Sequence, residues 1–83
     1  MNPPRLLTPP HNYAVVQLPE RHFPGVVFQG DSLNGFIVDL ERAIAEPDPE
    51  EQAACFEEIL ERLQAIRGVY EATLKKEGIR LPY

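Results

Sequence analysis

Ser32 is the residue of this sequence whose type and setting come nearest to nucleophilic chemistry. It follows Gly30 and Asp31 at the end of an apolar run, where a strand should give way to a helix. A serine hydroxyl attacks a carbonyl only when a base takes its proton and donors stabilise the oxyanion. The two histidines, His11 and His22, both precede Ser32. The sequence therefore contains a candidate nucleophile without an evident base.

The run Val26–Leu33, V-V-F-Q-G-D-S-L, resembles the opening block of the G-D-S-L hydrolases over eight residues. The resemblance implies a doubly wound sheet and an esterase whose nucleophile is Ser32. Members of that family also carry an Asp-x-x-His pair near the C-terminus and later glycine and asparagine blocks. This chain has none of these and is much shorter. We therefore interpret Gly30, Asp31 and Ser32 as a turn and helix cap, and we expect no catalytic residues and no enzyme.

Other potential ligands in the sequence do not have the spacing of a known site. Cysteine and histidine do not cluster at metal-ligand spacing, and no Glu-x-x-His motif accompanies Glu57, Glu58 and Glu61. A glycine-rich phosphate loop is also missing. We expect no cofactor and no metal. The single cysteine, Cys55, cannot form an internal disulfide and fits a reducing compartment, so we expect a cytoplasmic protein.

A longer run, from Asn12 to Leu33, is similar to a family of short uncharacterised bacterial proteins. These share an N-Y-A-V-V-Q-L-P segment followed by R-x-F-P-G-V-V-x-Q-G-D-S-L, and this chain matches both segments. The resemblance implies a bacterial origin. It brings no activity, cofactor or site, because the family has none assigned.

Two short β-strands are predicted within this run, at Tyr13–Leu18 and Gly25–Gln29. Both are rich in β-branched and aromatic residues. Because the loop between them is short, the strands should form an antiparallel hairpin. Apolar residues fall on both faces of this hairpin, which indicates that both faces are covered. Residues 1–12 hold four of the nine prolines and are expected to form an extended arm.

The first predicted helix follows the second strand. Asp31 or Ser32 should cap its N-terminus, and the helix should end near Glu46, before a proline. Apolar residues recur at helical spacing, which predicts that one stripe faces the core. The members of this stripe are Leu33, Phe36, Ile37, Leu40 and Ile44.

The second predicted helix begins with the clearest local signal in the sequence. Asp48 stands at the N-cap, Pro49 at the first helical position, and Glu51 in the third position of a capping box. The helix should run to about Glu77, and Gly78 should adopt the left-handed conformation that ends it. The predicted core stripe is Phe56, Ile59, Leu60, Leu63, Ile66, Tyr70 and Leu74. The expected intrahelical ion pairs are Glu58 with Arg62 and Glu71 with Lys75.

The predicted fold is α+β, an antiparallel β-hairpin followed by an antiparallel two-helix hairpin (ββαα). Residues 1–12 form the arm and residues 13–83 a single domain, since 83 residues suffice for one domain and not two. A two-stranded sheet leaves free edges and apolar surface. We expect a second copy to cover that surface, through a four-stranded sheet or a helix bundle. The N-terminal arm is the competing cover.

The charge distribution bears on the partner. The chain has a net charge of −5, and residues 46–61 carry seven acids and no base. Such a stretch repels phosphates, so we expect no nucleic-acid binding. No run approaches the ~20 apolar residues that span a bilayer, so we expect no membrane segment. The acidic stretch is either a solvated helix face or a patch that binds a basic partner.

The predicted binding surface is the loop between the strands, together with the start of the first helix. Its residues are Arg21, His22, Phe23, Gln29, Asp31 and Ser32. Arg21 offers a planar set of donors and Phe23 an aromatic anchor, although Phe23 could instead belong to the core. We expect a non-catalytic protein–protein interaction module, either an accessory subunit, an adaptor or a regulator, that is also a homo-oligomer. The alternatives are an acidic immunity or antitoxin-type inhibitor of a basic partner and, third, an esterase.

Overall fold

The computed structural model describes residues 3–9 and 12–83. Five elements follow one another along the chain: β1 (Arg5–Leu6), β2 (Tyr13–Gln17), β3 (Gly25–Phe28), α1 (Gly30–Ala45) and α2 (Pro49–Lys76). The predicted α+β fold, an antiparallel strand region followed by a helical hairpin, is confirmed. His11 and part of the predicted N-terminal arm lie outside the described residues.

The sheet has three antiparallel strands in the order β1-β2-β3, one more than the sequence predicted. In its register Val15 lies opposite Val26, and Val16 lies opposite both Leu6 on β1 and Gly25 on β3. β1 has only two residues and lies among prolines, so no strand pattern marked it. The arm therefore pairs with one edge of the predicted hairpin.

The beginning of α1 differs from the prediction. Gln29 is the N-cap residue, in an extended conformation and without a side-chain cap. Its amide donates to the Asn12 carbonyl at 2.9 Å, and its carbonyl accepts from the Leu33 amide at 3.0 Å. Asp31 and Ser32 lie inside the first turn, so the prediction that one of them is the cap is wrong. These two backbone hydrogen bonds of Gln29 join the end of β3 to the start of α1, and no side chain caps the helix.

The ends of α2 follow the local signals more closely. Asp48 is the N-cap and accepts from the Glu50 amide at 3.3 Å. The Asp48 amide donates to the Glu46 carboxylate rather than to the predicted Glu51. At the other end Gly78 has φ of 70°, as predicted. The amide of Ile79 donates to the Leu74 carbonyl at 2.9 Å, which completes a left-handed C-terminal cap.

The sheet packs against the C-terminal part of α2, where the hydrophobic core lies. Val15 and Leu74 are fully buried and Tyr70 nearly so. The Tyr70 hydroxyl donates to the Pro24 carbonyl at 2.7 Å. Burial of this hydroxyl, and secondarily the nearby Tyr83, raises the pKa of Tyr70 above its ordinary value. The surrounding half-buried side chains are Leu7, Val26, Ile79 and Leu81.

The helical hairpin extends away from this core. α1 has 16 residues and α2 has 28, so α2 continues beyond α1 and receives the sheet on its free part. The molecule is accordingly elongated, with principal dimensions of 50 × 23 × 20 Å. The fold thus has a sheet-covered end and a hairpin end, and these two ends differ in how they are packed.

Polar contacts join the two helices of the hairpin. The Arg62 guanidinium donates to the Asp39 carboxylate at 2.7 Å and lies over the Phe36 ring at 4.5 Å. The Gln52 side chain donates to the Ala43 carbonyl at 3.0 Å. Arg62 therefore pairs across the hairpin and not with the predicted Glu58. The other predicted intrahelical pair also differs, because Glu71 lies 3.7 Å from Arg67 instead of pairing with Lys75.

Candidate functional site

The predicted binding loop joins β2 and β3 at one end of the sheet. Arg21 and His22 are exposed and Phe23 is half-buried. The rings of His22 and Phe23 stack edge to face, with centroids 4.6 Å apart. The Gln17 side chain holds the loop backbone by donating to the Arg21 carbonyl at 2.8 Å and to the Leu18 carbonyl at 3.2 Å.

The other three predicted residues lie beyond the opposite end of β3. Four residues of strand separate the loop from Gln29, a distance of about 13 Å. Asp31 is exposed, and its carboxylate accepts from the Ser32 amide at 2.9 Å. The six predicted residues are therefore divided into two groups of three.

Ser32 is half-buried at the rim of a cavity of about 290 Å³. The described residues around it are Asn12, Tyr13, Phe28, Gly35, Phe36, Arg62 and Ile66. None of these is a histidine. His22 lies with the strand loop, across the length of β3 from Ser32. Among the described residues of its own cavity, Ser32 therefore has the always-protonated guanidinium of Arg62 but no imidazole that could take its proton.

The apolar stripe predicted on α1 is mostly exposed, which is the largest departure from the sequence analysis. Phe36 is half-buried, and the small Ala43 is fully buried against α2. The predicted core members are wrong at four positions, whose exposed fractions run from 43% to 64%. These four are Leu33, Ile37, Leu40 and Ile44.

α2 has a matching exposed stripe. Phe56, Leu60 and Leu63, which the sequence assigned to the core, are 39% to 54% exposed. Ile59 is buried, while Tyr70 and Leu74 are buried only because they lie under the sheet. Together the four α1 residues and these three α2 residues form what we call the apolar face.

Both stripes lie on the same side of the hairpin. Successive residues of an α-helix are rotated by about 100° around the helix axis. On α1, Phe36, Asp39 and Ala43 contact α2. The centre of the exposed stripe lies roughly 100° around the axis from the centre of these three residues. On α2 the stripe lies about the same angle, in the same sense, from the side that contacts α1. Because the helices are antiparallel, equal rotations bring the two stripes to one common side.

The opposite side of the hairpin is charged. A cleft of about 160 Å³ there lies between the helices. Its lining consists of Asp39, Arg42, Cys55, Glu58, Ile59 and Arg62. The hairpin is thus amphipathic as a unit, with a charged side and an apolar side.

A groove continues the apolar face toward the sheet. It has a volume of about 390 Å³, and apolar atoms make up most of its walls. Leu63 and Arg67 of α2 and the exposed Tyr83 ring are among the residues that line it. Arg67, whose side chain is 60% exposed, is the basic residue at this end of the face.

The apolar face is large for a chain of this size. Taking roughly 150–200 Å² for a fully exposed side chain of this kind, its seven residues expose on the order of 500–700 Å². A single small protein rarely exposes a contiguous apolar patch of more than about 300–600 Å² unless the patch binds something. The face is therefore the strongest candidate binding surface of the described chain.

A signal for this face was present in the sequence. The spacing of Leu33, Ile37, Leu40 and Ile44 follows the 4-3-4 pattern of a helical seam by itself, and Phe36 with Ala43 marks a second seam beside it. Merging the two into one stripe hid the fact that α1 has two apolar sides. A hairpin of two helices buries only one of them.

Metal-binding clusters and membrane-spanning helices are both missing from the described residues. Among the residues that the structure describes, no group of three metal-ligating side chains comes together. Neither helix has the length and apolarity needed to cross a membrane, within the same residues.

The fold and this surface define a small α+β protein with an exposed, amphipathic helical hairpin. The chain belongs to DUF6959, a family of unknown function, whose family model matches residues 2–83. This agrees with the predicted membership of an uncharacterised family. No curated protein and no solved structure matches the chain.

Proposed function

We propose that this chain is a non-catalytic bacterial protein–protein interaction module, an accessory subunit, adaptor or regulator that acts by binding through the apolar face of its helical hairpin. The observation that carries the proposal is the exposure of seven large apolar side chains on one side of that hairpin. Burial of apolar surface is the main favourable term in association. A partner that covers this face therefore gains affinity from the burial alone, without additional polar contacts.

The amphipathic design of the hairpin supports this proposal. Its two sides differ in chemistry, since the apolar stripes lie opposite a cleft with four charged residues. A helical hairpin with only a solvating role has polar residues on all of its free sides. The buried Ala43 and Ile59 and the contacts of Arg62 lie between the two helices, and none of them belongs to the exposed apolar residues. These residues are consequently free for recognition.

Affinity purification from the native bacterium tests the proposed function. Tagged wild type and two variants serve as baits: Leu60→Glu, which places a charge on the apolar face, and Ala65→Glu, which places the same charge on an exposed position of the other side of α2. We expect partners that mass spectrometry finds with wild type and with Ala65→Glu, and that Leu60→Glu loses at least tenfold. Equal recovery with all three baits argues against the face.

A second candidate function rests on the acidic stretch 46–61. Its seven acids face solvent or lie half-buried, without a base among them. An immunity or antitoxin-type inhibitor that masks a basic active site uses such a surface. Replacing Glu57, Glu58 and Glu61 together by glutamine should abolish capture of a basic nuclease if this function is correct. The same change should not weaken capture through the apolar face.

The other expectations remain proposals as well. An esterase centred on Ser32 is the third candidate, and hydrolysis of a chromogenic ester by wild type but not by Ser32→Ala would establish it. The loop residues Arg21, His22 and Phe23 remain a predicted second contact, which the double substitution of Arg21 and Phe23 by alanine tests in the same affinity purification. Cytoplasmic location also remains a proposal.

A further inference from the structure

We infer that the apolar face is the interface of a symmetric homodimer, in which two copies of the helical hairpin pack face to face as an antiparallel four-helix bundle. This inference deepens the proposed function and rests on the same face. It names the occupant, a second copy of the chain, from the area, symmetry and charge of the described surface.

The area agrees with what a stable dimer needs. A specific interface buries about 800 Å² on each partner. The apolar face alone supplies on the order of 500–700 Å² by the exposed fractions of its side chains. The polar side chains at its rim and the groove beside it supply the remainder. Apolar burial without a buried charge is typical of permanent homodimers.

The α1 stripe is symmetric about its own midpoint, and on α2 two of the three stripe residues are related in the same way. On α1 the midpoint falls between Val38 and Asp39, so that a two-fold axis there exchanges Ile37 with Leu40 and Leu33 with Ile44. On α2 an axis at the level of Glu58 exchanges Phe56 with Leu60 and sets Leu63 opposite the exposed Ala53 of the second copy. An interface with two-fold symmetry requires a surface that is complementary to itself in this way.

The two midpoints lie at the same level of the hairpin. Gln52 contacts Ala43 near the turn, and Arg62 lies over Phe36 farther along. Because antiparallel helices advance equally in opposite directions, these contacts place the α1 midpoint level with about residues 56–60 of α2. One axis at right angles to both helices therefore serves both stripes. Each helix then packs antiparallel to its own copy.

Charge complementarity supports this register. The same axis brings residue 49 of the second copy level with Arg67, since both are nine residues from the α2 midpoint. Around that position lie the turn between the helices and the first turn of α2, which carry Glu46, Asp48, Glu50 and Glu51. Arg67 lies at the end of the face beside the groove, within reach of this acidic turn of the second copy. The turn's two prolines would enter the groove.

The charges elsewhere on the rim oppose the dimer moderately. Glu57 and Glu61 flank the α2 stripe and approach their own copies across the axis. Like charges at a solvated rim repel each other, and salt screens this repulsion. Salt also screens the attraction between Arg67 and the acidic turn, so the repulsion is isolated in Arg67→Glu, whose dimerisation should become stronger as the salt concentration rises from 20 to 300 mM. An interface built on ion pairs shows the opposite dependence.

Sedimentation equilibrium and light scattering on the purified chain test the inference. We expect wild type to approach twice the monomer mass of 9.4 kDa with increasing concentration. Leu60→Glu should raise the dissociation constant at least tenfold, while Ala65→Glu should change it less than twofold. Circular dichroism checks that both variants keep their helices, which they should, because both positions are exposed in the monomer.

A second pair of variants tests the register. Arg67→Glu and Arg42→Glu change the net charge equally, but Arg42 lies in the charged cleft on the other side of the hairpin. Arg67→Glu should weaken the dimer several-fold, and Arg42→Glu should not. Equal effects of the two variants would overturn the proposed register.

The outcomes separate this inference from the proposed function. A strict monomer up to 0.5 mM overturns the homodimer, and a dimer that Leu60→Glu leaves unchanged overturns the apolar face as its interface. If the monomer still captures a partner from cells through the face, the interaction module stands with a different occupant. A dimer that captures no cellular partner sustains this inference and overturns the proposed function.

Discussion

The two ends of this molecule are packed in different ways. At the sheet end Val15 and Leu74 are fully buried, and Tyr70 lies between them and the Pro24 carbonyl. At the hairpin end, Ala43 and Ile59 are the described apolar residues that are buried, while seven larger ones are exposed. The sheet end is thus covered by its own chain, and the hairpin end is not. The difference shows that a chain of this size completes one core and leaves a second apolar surface exposed.

Leucine truncations at the two ends should show the difference in packing most clearly. Leu74→Ala removes a fully buried side chain and should lower the free energy of unfolding by about 2–5 kcal/mol. Leu60→Ala, at 54% exposure, should cost about 1 kcal/mol or less in the monomer. Urea unfolding at two protein concentrations measures both. If the loss of unfolding free energy caused by Leu60→Ala depends on protein concentration, a second copy covers Leu60. If Leu74→Ala and Leu60→Ala lower the unfolding free energy of the monomer equally, the two ends are not packed differently.

Tyr70→Phe probes the polar contact inside the sheet end. Loss of the hydroxyl leaves the buried Pro24 carbonyl without its donor and should cost roughly 1–3 kcal/mol. The folded-state pKa of Tyr70 lies above that of the unfolded chain, so its contribution is complete below about pH 10 and is lost as the pH rises through the folded pKa. Thermal unfolding between pH 8 and 11.5 should therefore show a steeper alkaline loss in wild type than in Tyr70→Phe. Parallel curves would contradict this account.

Gly78→Ala tests the helix stop beside the same core. A residue with a Cβ is strained at the φ of 70° that Gly78 adopts, and the cost should be about 1 kcal/mol. No other atom lies within 4 Å of the added methyl group, so the loss comes from the backbone rather than from a clash. Chemical denaturation measures it, with Gly68→Ala in the interior of α2 as the control. That control should stabilise the protein, since its helical backbone suits alanine.

Arg62→Ala tests the polar joint of the hairpin end and should have the smallest effect. Its contacts with Asp39 and Phe36 are both partly solvated, and after screening they should contribute roughly 0.5–1 kcal/mol. Arg62→Lys keeps the charge but not the planar contact with the ring, so its cost should be intermediate. A loss as large as that of Leu74→Ala would show that the hairpin depends on this joint, and would contradict the comparison of the two ends.

Local signals in the sequence determined where the elements lie. Asp48 and Pro49 predicted the start of α2, Gly78 its end, and the β-branched runs both strands of the hairpin, because these features act through the backbone of a few neighbouring residues. The capping role of Asp31 or Ser32 failed, since Gln29 already had backbone partners from Asn12 and Leu33. The short strand β1 carried no periodic signal and depends on pairing with β2.

Only the tertiary structure decided which apolar residues are buried. Helical periodicity identifies the sides of a helix that can pack, but it does not say how many neighbours are available to cover them. α1 has a single helical neighbour, and apart from the contact of Phe28 with Phe36 the sheet covers the part of α2 that extends beyond α1. Leu74 is buried and Leu60 exposed for this reason, although both belong to the same predicted stripe. Burial depends on contacts between segments far apart in sequence, and a pattern along one segment does not contain them.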